Sequence, residues 1–383
     1  MTHIALPASL HDLPTPCLVL DGARMARNID RLRDRLAQRG VPLRPHLKTG
    51  KSIEVARRMM TTPEGPATVS TMEEARRFAA AGVSDIVYAV GITPAKLPDV
   101  LALRAQGVDL AILLDSVEQA VAVAEVSRAA GMAIPALIEI DCDGHRSGVQ
   151  PGDRDRLCAI ATALTQGGQL RGVLTHAGDS YGAQGEEALR AAAEAERLAV
   201  VTAAQNLRDG GFACPAVSVG STPTALSAVD LTGVTEVRAG VFVFFDLVMA
   251  GIGICSHAEI ALSVLATVIG HQEDKGWILV DAGWMALSRD RGTASQAVDQ
   301  GYGLVCDLSG RPFGDLIVAQ ANQEHGVLAL RAGSSESLPS LAIGDRVRIF
   351  PNHACATAAQ HDRYHVVQAG SDVQAIWPRF GGW

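Results

Sequence analysis

The stretch Leu110–Ile140, LAILLDSVEQAVAVAEVSRAAGMAIPALIEI, sets a short apolar run, a helical pattern and a second apolar run in direct succession. Leu110–Leu114 and Ala136–Ile140 read as strands, and Val117–Ala130 as the helix between them. Two strands joined through a helix make a right-handed crossover and lie parallel. The same alternation continues on both sides. Upstream strands are expected at Leu43–Leu47, Ala67–Ser70 and Asp85–Val90, and downstream strands at Gly172–Thr175, Ala216–Val219 and Glu236–Ala239. Glu186–Leu207 is a further strong helix. The helix that precedes them all, in ARMARNIDRLRDRLAQRG, places Met25, Ile29, Leu32 and Leu36 at steps of four, three and four, which forms one buried stripe. Eight such units over residues 22–250 predict a closed (β/α)8 barrel. An open doubly wound sheet is the competing architecture.

Beyond Phe245 the pattern changes. IALSVLATVIG, WILVDAG, DRVRIF and YHVVQ are strand-like and separated by turns, which predicts an all-β domain over residues 255–383. CLVLD (Cys17–Asp21) precedes the first helix and is a candidate to join that domain, so residues 1–21 are grouped with it.

The bulk numbers exclude several classes. At 383 residues, 48% hydrophobic and 19% charged, the chain is long enough for two domains and too apolar for disorder. A formal net charge of −8 argues against a nucleic-acid groove. The seven cysteines show no C-x-x-C pair, so neither a disulfide framework nor a zinc knuckle is indicated. The opening MTHIALPASLHDLPTP lacks the pattern of a signal peptide, and no apolar run is long enough to span a bilayer. A soluble cytoplasmic enzyme is the expectation.

Barrel chemistry gathers at the carboxyl ends of strands, and Lys48, in LRPHLKTGKS, sits at such an end. A lysine there can form a Schiff base when its surroundings lower its pKa; the plainer reading is a solvated strand cap. Lys51 is a rival, expected in the first turn of the next helix. Gly220-Ser221-Thr222-Pro223-Thr224 follows the seventh strand at a helix start. Gly240 ends the eighth. Loops after strands seven and eight often hold phosphate, although GSTPT is equally an ordinary capped helix start. Arg146 follows the fifth strand in EIDCDGHRSGV, where it can bind an anion or pair with a nearby acid. His176 and Tyr181, in LTHAGDSY, are candidates to flank a planar ring. In PNHACAT, residues two apart on a strand share a face, so His353 and Cys355 would offer an imidazole and a thiolate together. That pair suits zinc and leaves positions open; a buried cysteine beside a satisfied histidine is the alternative. His361 and His365 read as structural.

Taken together, TPCLVLD, RPHLKTGKS, EIDCDGHRSGV, LTHAGDSY, VSVGSTPT, TEVRAGVFVFFD, VDAGW, NQEHG and PNHACAT resemble the fold-type III enzymes of pyridoxal 5′-phosphate (PLP), nearly end to end. These have an alanine-racemase-like barrel followed by a β-domain. Within them the chain is similar to the D-threonine aldolase and D-serine dehydratase group. Aldolases of that group pair His with Asp at the metal, and dehydratases pair His with Cys, as here.

The resemblance implies that Lys48 carries PLP and removes the α-proton. It implies that Ser221, Thr222 and Gly240 hold the phosphate, and that Arg146, His176 and Tyr181 meet the ring and its substituents. His353 and Cys355 would bind a divalent metal, zinc or else manganese or magnesium. The implied activity is dehydration of a β-hydroxy D-amino acid, foremost D-threo-3-hydroxyaspartate to oxaloacetate and ammonia, with D-serine a secondary substrate. The implied assembly is a homodimer. The rivals are an aldolase of D-threonine or 3-hydroxy-D-aspartate, a non-catalytic PLP carrier, and a racemase with a second base, for which Tyr302 and Tyr364 are the only tyrosines in the β-domain.

Overall fold

The computed structural model describes residues 8–144, 146–368 and 370–383. His145 and the first seven residues, which the sequence reading touched, lie outside them. The chain divides into two compact units. One runs up to Asp30 and resumes over Val241–Gly381; the other is Arg31–Gly240 with Gly382–Trp383. The division falls inside the helix Gly22–Ala37, whose stripe Met25, Ile29, Leu32 and Leu36 is buried throughout.

Strand β1 (Cys17–Asp21) comes first among the strands, and the eight strands of the second unit follow. These are β2 (Leu43–Pro45), β3 (Ala67–Val69), β4 (Asp85–Gly91), β5 (Asp109–Leu114), β6 (Pro135–Ile140), β7 (Gln169–Thr175), β8 (Ala216–Val219) and β9 (Glu236–Ala239). Neighbours in the order β2-β9-β8-β7-β6-β5-β4-β3 pair in parallel. The ring closes at His46, which bridges Thr68 and donates its N–H to the carbonyl of Ala239 at 2.7 Å. Closure settles the choice against an open sheet.

Helices follow the strands because right-handed crossovers return each chain to the same end. The helix Val117–Ala130 starts on the capping box of Ser116 and Gln119 and stops at Gly131, whose φ of 61° suits a left-handed cap.

Val87, Ala111, Leu113, Leu137 and Leu174 form an apolar cluster. In the same unit Arg44 donates to Glu236 at 2.7 Å and to Asp85 at 2.6 Å. Buried Arg238 donates its Nε to Ser218 Oγ at 2.9 Å. Buried charges persist only when paired or hydrogen-bonded, and here each one is.

The remaining strands are β10 (Leu262–Gln272), β11 (Trp277–Val280), β12 (Leu304–Cys306), β13 (Pro312–Ala321), β14 (Gly326–Leu330), β15 (Arg346–Phe350), β16 (Arg363–Val367) and β17 (Val373–Pro378). β10 carries a bulge between Val268 and Gly270, pairing with β15 before it and mainly with β11 beyond it. The circuit β10-β11-β14-β13-β12-β15 therefore closes as an antiparallel barrel. β1 lies antiparallel to β10 and parallel to β16. The motifs VDAGW and NQEHG meet in this unit, with Trp284 N–H donating to the Asn322 carbonyl at 2.8 Å. A Cβ on Gly283 would lie 2.2 Å from that oxygen, so only glycine fits there. Among the described residues no helix is long and apolar enough to cross a membrane.

Candidate active site

Lys48 lies exposed in a turn directly after the closing seam of the parallel barrel. The turn is shut by Lys51 N–H donating to the Leu47 carbonyl at 2.9 Å. Lys51 itself adopts a left-handed φ of 42° just before Ser52, the N-cap of the helix Ile53–Met59. The expected place in the first helical turn is thus corrected: an L-residue with positive φ cannot extend a right-handed helix. The Lys51 ammonium pairs with buried Glu74 at 3.0 Å and so anchors the turn, while Lys48 projects from it.

Around this turn stand the other barrel candidates. His176, one residue past β7, bonds through Nδ1 to the Gly220 carbonyl at 2.6 Å. A carbonyl only accepts, so Nδ1 carries the hydrogen and Nε2 is the open acceptor. Burial first, then the positive charges of Lys48, Arg146 and Arg238, press His176 down to about 3, outweighing the opposing bond to Gly220. The same three cations, after burial, hold His46 well below its ordinary value. Lys48, Arg146, His46, His176 and Arg238 are therefore gathered in one electrostatic neighbourhood. The Tyr181 ring sits 6.1 Å from that of His176, tilted by 47°. Arg146 is more than half exposed and lies 3.6 Å from Glu139, so the ion-pair alternative is realised loosely and leaves the guanidinium reachable.

Ser221 and Thr222 are buried at the start of the short helix Thr222–Ser227. Ser221 Oγ accepts from Thr224 N–H at 3.2 Å and meets Ser180 Oγ at 2.9 Å. The capped helix start expected of GSTPT is thus realised, and it lies next to His176. Gly220 admits no side chain, because its Cβ would lie 2.0 Å from the Arg238 carbonyl. A Cβ on Gly240 would lie 3.0 Å from the His46 carbonyl. These two glycines let the strand ends approach one another. His46 Nδ1 is buried with no hydrogen-bond partner, the kind of orphan that a bound group satisfies. An exposed lysine, a helix start carrying two hydroxyl side chains, neutral imidazoles and an orphaned ring nitrogen fit PLP.

In the antiparallel unit, His353 and Cys355 are not on a strand. β15 ends at Phe350; His353 is the N-cap of the helix Ala354–Ala358, and Cys355 is its second residue. The Cys355 side chain is nevertheless a hydrogen-bond partner of the His353 imidazole, which itself makes no capping bond to the helix. The Asp290 carboxylate foremost, then a hydrogen bond with the Cys355 side chain, push His353 up to about 11. Asp246, buried and raised by that burial, accepts the Ala354 N–H at 2.9 Å and so fixes the turn. Among the described residues no group of three or more potential ligands is assembled. An imidazole and a thiol within reach of each other form a nitrogen–sulfur donor pair fit for a zinc-like ion. His361 and His365 bond to the carbonyls of Ala286 and Leu18, at 3.0 and 3.3 Å.

Four further residues escaped the sequence reading. His46 and Arg238 stood inside quoted motifs but carried no spacing signal. Buried Glu196, in an alanine-rich helix, accepts from the N–H groups of Ala177 and Gly220 at 3.1 and 3.0 Å. Asp290 lies 63 residues from the histidine it holds.

The model of the alanine racemase N-terminal domain matches residues 20–248, and that of the putative serine dehydratase domain matches residues 261–367. D-threo-3-hydroxyaspartate dehydratase of Delftia sp. (strain HT23) is 54% identical over 98% of this chain and 99% of its own. Its solved structure superposes with a TM-score of 0.95 over 98% of this chain and 100% of that one. A cysteine-to-alanine variant of it was solved in the metal-free form. D-serine dehydratase of Dictyostelium discoideum is 27% identical over 95% of this chain and 96% of its own. D-threonine aldolase from Filomicrobium marinum superposes with a TM-score of 0.80 at 27% identity, covering 98% of this chain and 96% of that one. The chain therefore belongs to the alanine-racemase-like, fold-type III PLP enzymes, in the group of D-threo-3-hydroxyaspartate dehydratase, D-serine dehydratase and D-threonine aldolase.

Proposed function

We propose that this chain is a PLP- and divalent-metal-dependent dehydratase that converts D-threo-3-hydroxyaspartate to oxaloacetate and ammonia, with D-serine as a slower substrate. The observation that carries this reading is 54% identity to D-threo-3-hydroxyaspartate dehydratase over almost the whole of both chains. The His353-x-Cys355 pair agrees with it, being the dehydratase form of the motif.

Lys48, Arg146, His176, Tyr181, Ser221, Thr222 and Gly240 would hold PLP, and His353 with Cys355 would hold the metal. When bound, PLP disperses negative charge at Cα and a divalent ion polarises the β-hydroxyl as a Lewis acid. Lys48 Nζ, exposed on an anchored turn, takes the α-proton. His176 stays neutral at working pH and presents Nε2 as an acceptor. Arg146, reachable from solvent, meets an anionic group of the cofactor or substrate. The nitrogen–sulfur pair puts zinc first among the ions, with manganese or magnesium next. Homodimeric assembly in the cytoplasm completes the reading, on the family resemblance alone.

The aldolase reading is favoured by one observation, the superposition on D-threonine aldolase. Product analysis separates the two. Purified protein should form ammonia and oxaloacetate from D-threo-3-hydroxyaspartate, whereas glycine with an aldehyde as the main products would mean Cα–Cβ cleavage.

A further inference from the structure

The segment between Ser288 and Gly303 contains no regular strand or helix, yet it is held at several points. Asp290 N–H donates to Ser288 Oγ at 3.2 Å, and Asp290 Oδ1 accepts from Gly292 N–H at 2.7 Å. Buried Asn352, the neighbour of His353, donates its amide to the carbonyls of Asp290 at 3.0 Å and Gly301 at 2.7 Å. Its Oδ1 accepts the Thr293 hydroxyl at 3.0 Å. The remaining carboxylate oxygen, Asp290 Oδ2, lies 2.9 Å from His353 Nδ1. One residue thus ties down the backbone of Asp290, and the adjacent residue takes its side chain.

A carboxylate accepts and does not donate, so the hydrogen in this contact belongs to Nδ1. With Nδ1 so engaged, Nε2 is the nitrogen that would give a lone pair to a metal once its own proton is released. The contact also removes the freedom of the ring to turn about χ2. A histidine that ligates a metal commonly has its other nitrogen held in this way, which raises its basicity and fixes its direction.

We infer that Asp290 is the positioning residue of the metal site: it selects Nε2 of His353 as the ligating nitrogen and holds the ring so that Nε2 works together with Cys355. This rests on the reading of His353 and Cys355 as metal ligands. Asp290 touches neither substrate nor cofactor in this role and acts through the imidazole. A carboxylate serving only to fasten the Ser288–Gly303 segment would steady the fold and leave metal affinity alone.

The test uses the PLP-loaded protein, stripped of metal by chelation and titrated with zinc in a calorimeter. Asp290→Ala should weaken zinc binding about 10- to 100-fold. The melting temperature of the stripped protein should fall, because the bonds of Asp290 to Gly292 and His353 are lost, while the absorbance of bound PLP stays at its parental value. In zinc-loaded protein labelled with 15N-histidine, His353 should change from ligation through Nε2 alone to a mixture of Nε2 and Nδ1. Should Asp290→Ala fail to fold, Asp290→Asn, which keeps the shape and one acceptor oxygen, should still weaken zinc several-fold. Unchanged zinc affinity in the Asp290 variant, with binding lost in His353→Ala and Cys355→Ala, overturns the positioning role and leaves the metal site standing. Undiminished zinc binding in His353→Ala and Cys355→Ala removes the metal site itself, and this inference with it.

Discussion

His176 and Gly220 are joined at 2.6 Å, ring nitrogen to backbone carbonyl, while the N–H of the same glycine is held by Glu196 at 3.0 Å. The loop after β7 and the loop after β8 are thereby locked to each other, and His176 is locked as a neutral donor. Its depressed pKa has a consequence for stability. Between about 3 and the ordinary 6.5, the unfolded chain binds a proton that folded His176 refuses. The unfolded state gains as pH falls through that window, so stability is lost on acidification and is whole above it. Half-buried His46 acts in the same sense. Urea unfolding at several pH values below 6.5 should show this loss, and His176→Gln should flatten it by up to about 1.4 kcal/mol per pH unit. A slope unaffected by the substitution would mean that His176 titrates freely.

Gly220→Ala tests the closeness of β8 and β9. The new methyl would sit 2.0 Å from the Arg238 carbonyl, and backbone cannot swing aside as a flexible side chain can. The expected cost is about 3 kcal/mol or more, read as a lower melting temperature. Bound PLP should fall with it, since the same loop carries Ser221 and Thr222.

Lys48→Ala should abolish turnover and leave the melting temperature nearly unchanged, because the side chain is exposed and makes no core. Borohydride treatment of the parent protein should attach PLP to the peptide at Lys48. Attachment at Lys51 instead would require its ion pair with Glu74 to be broken.

Chelation should remove most of the dehydratase activity, and zinc or manganese should restore it, with the PLP spectrum intact throughout. His353→Ala and Cys355→Ala should behave like the chelated parent. Full activity without metal would return both residues to a structural role.

The substrate prediction is stereochemical. With Lys48 as the only base taking the α-proton, one hand of the amino acid presents its hydrogen and the other does not. Ammonia release should be fast with D-threo-3-hydroxyaspartate, slower with D-serine, and negligible with L-threo-3-hydroxyaspartate. Equal rates for the D and L forms would indicate a second base. Tyr364 is poorly suited to that task, being fully buried and raised by its burial.

What was legible in the sequence is what local periodicity encodes. Ala216–Val219, Glu236–Ala239 and Val117–Ala130 begin and end in the structure where their patterns begin and end. Burial on one face leaves its mark at neighbouring positions, so strands, helices and the lysine at a strand end could be placed from residue order alone. The family motifs added the companions of that lysine. Tertiary structure decided everything that depends on residues far apart. The closing of the barrel at His46 and Thr68 is one case, and the Arg44 pairs with Asp85 and Glu236 are another. His353 and Cys355 were expected on a strand, but they lie at the start of a short helix, because two residues of spacing look alike in both until the backbone turns. Asp290 was invisible beforehand: 63 residues from His353, in a segment without period, it acquires its role only when Asn352 draws that segment to the end of β15. Hydrogen bonds between distant side chains leave no periodic trace in a sequence, because their partners are chosen by the fold and not by the neighbours in the chain.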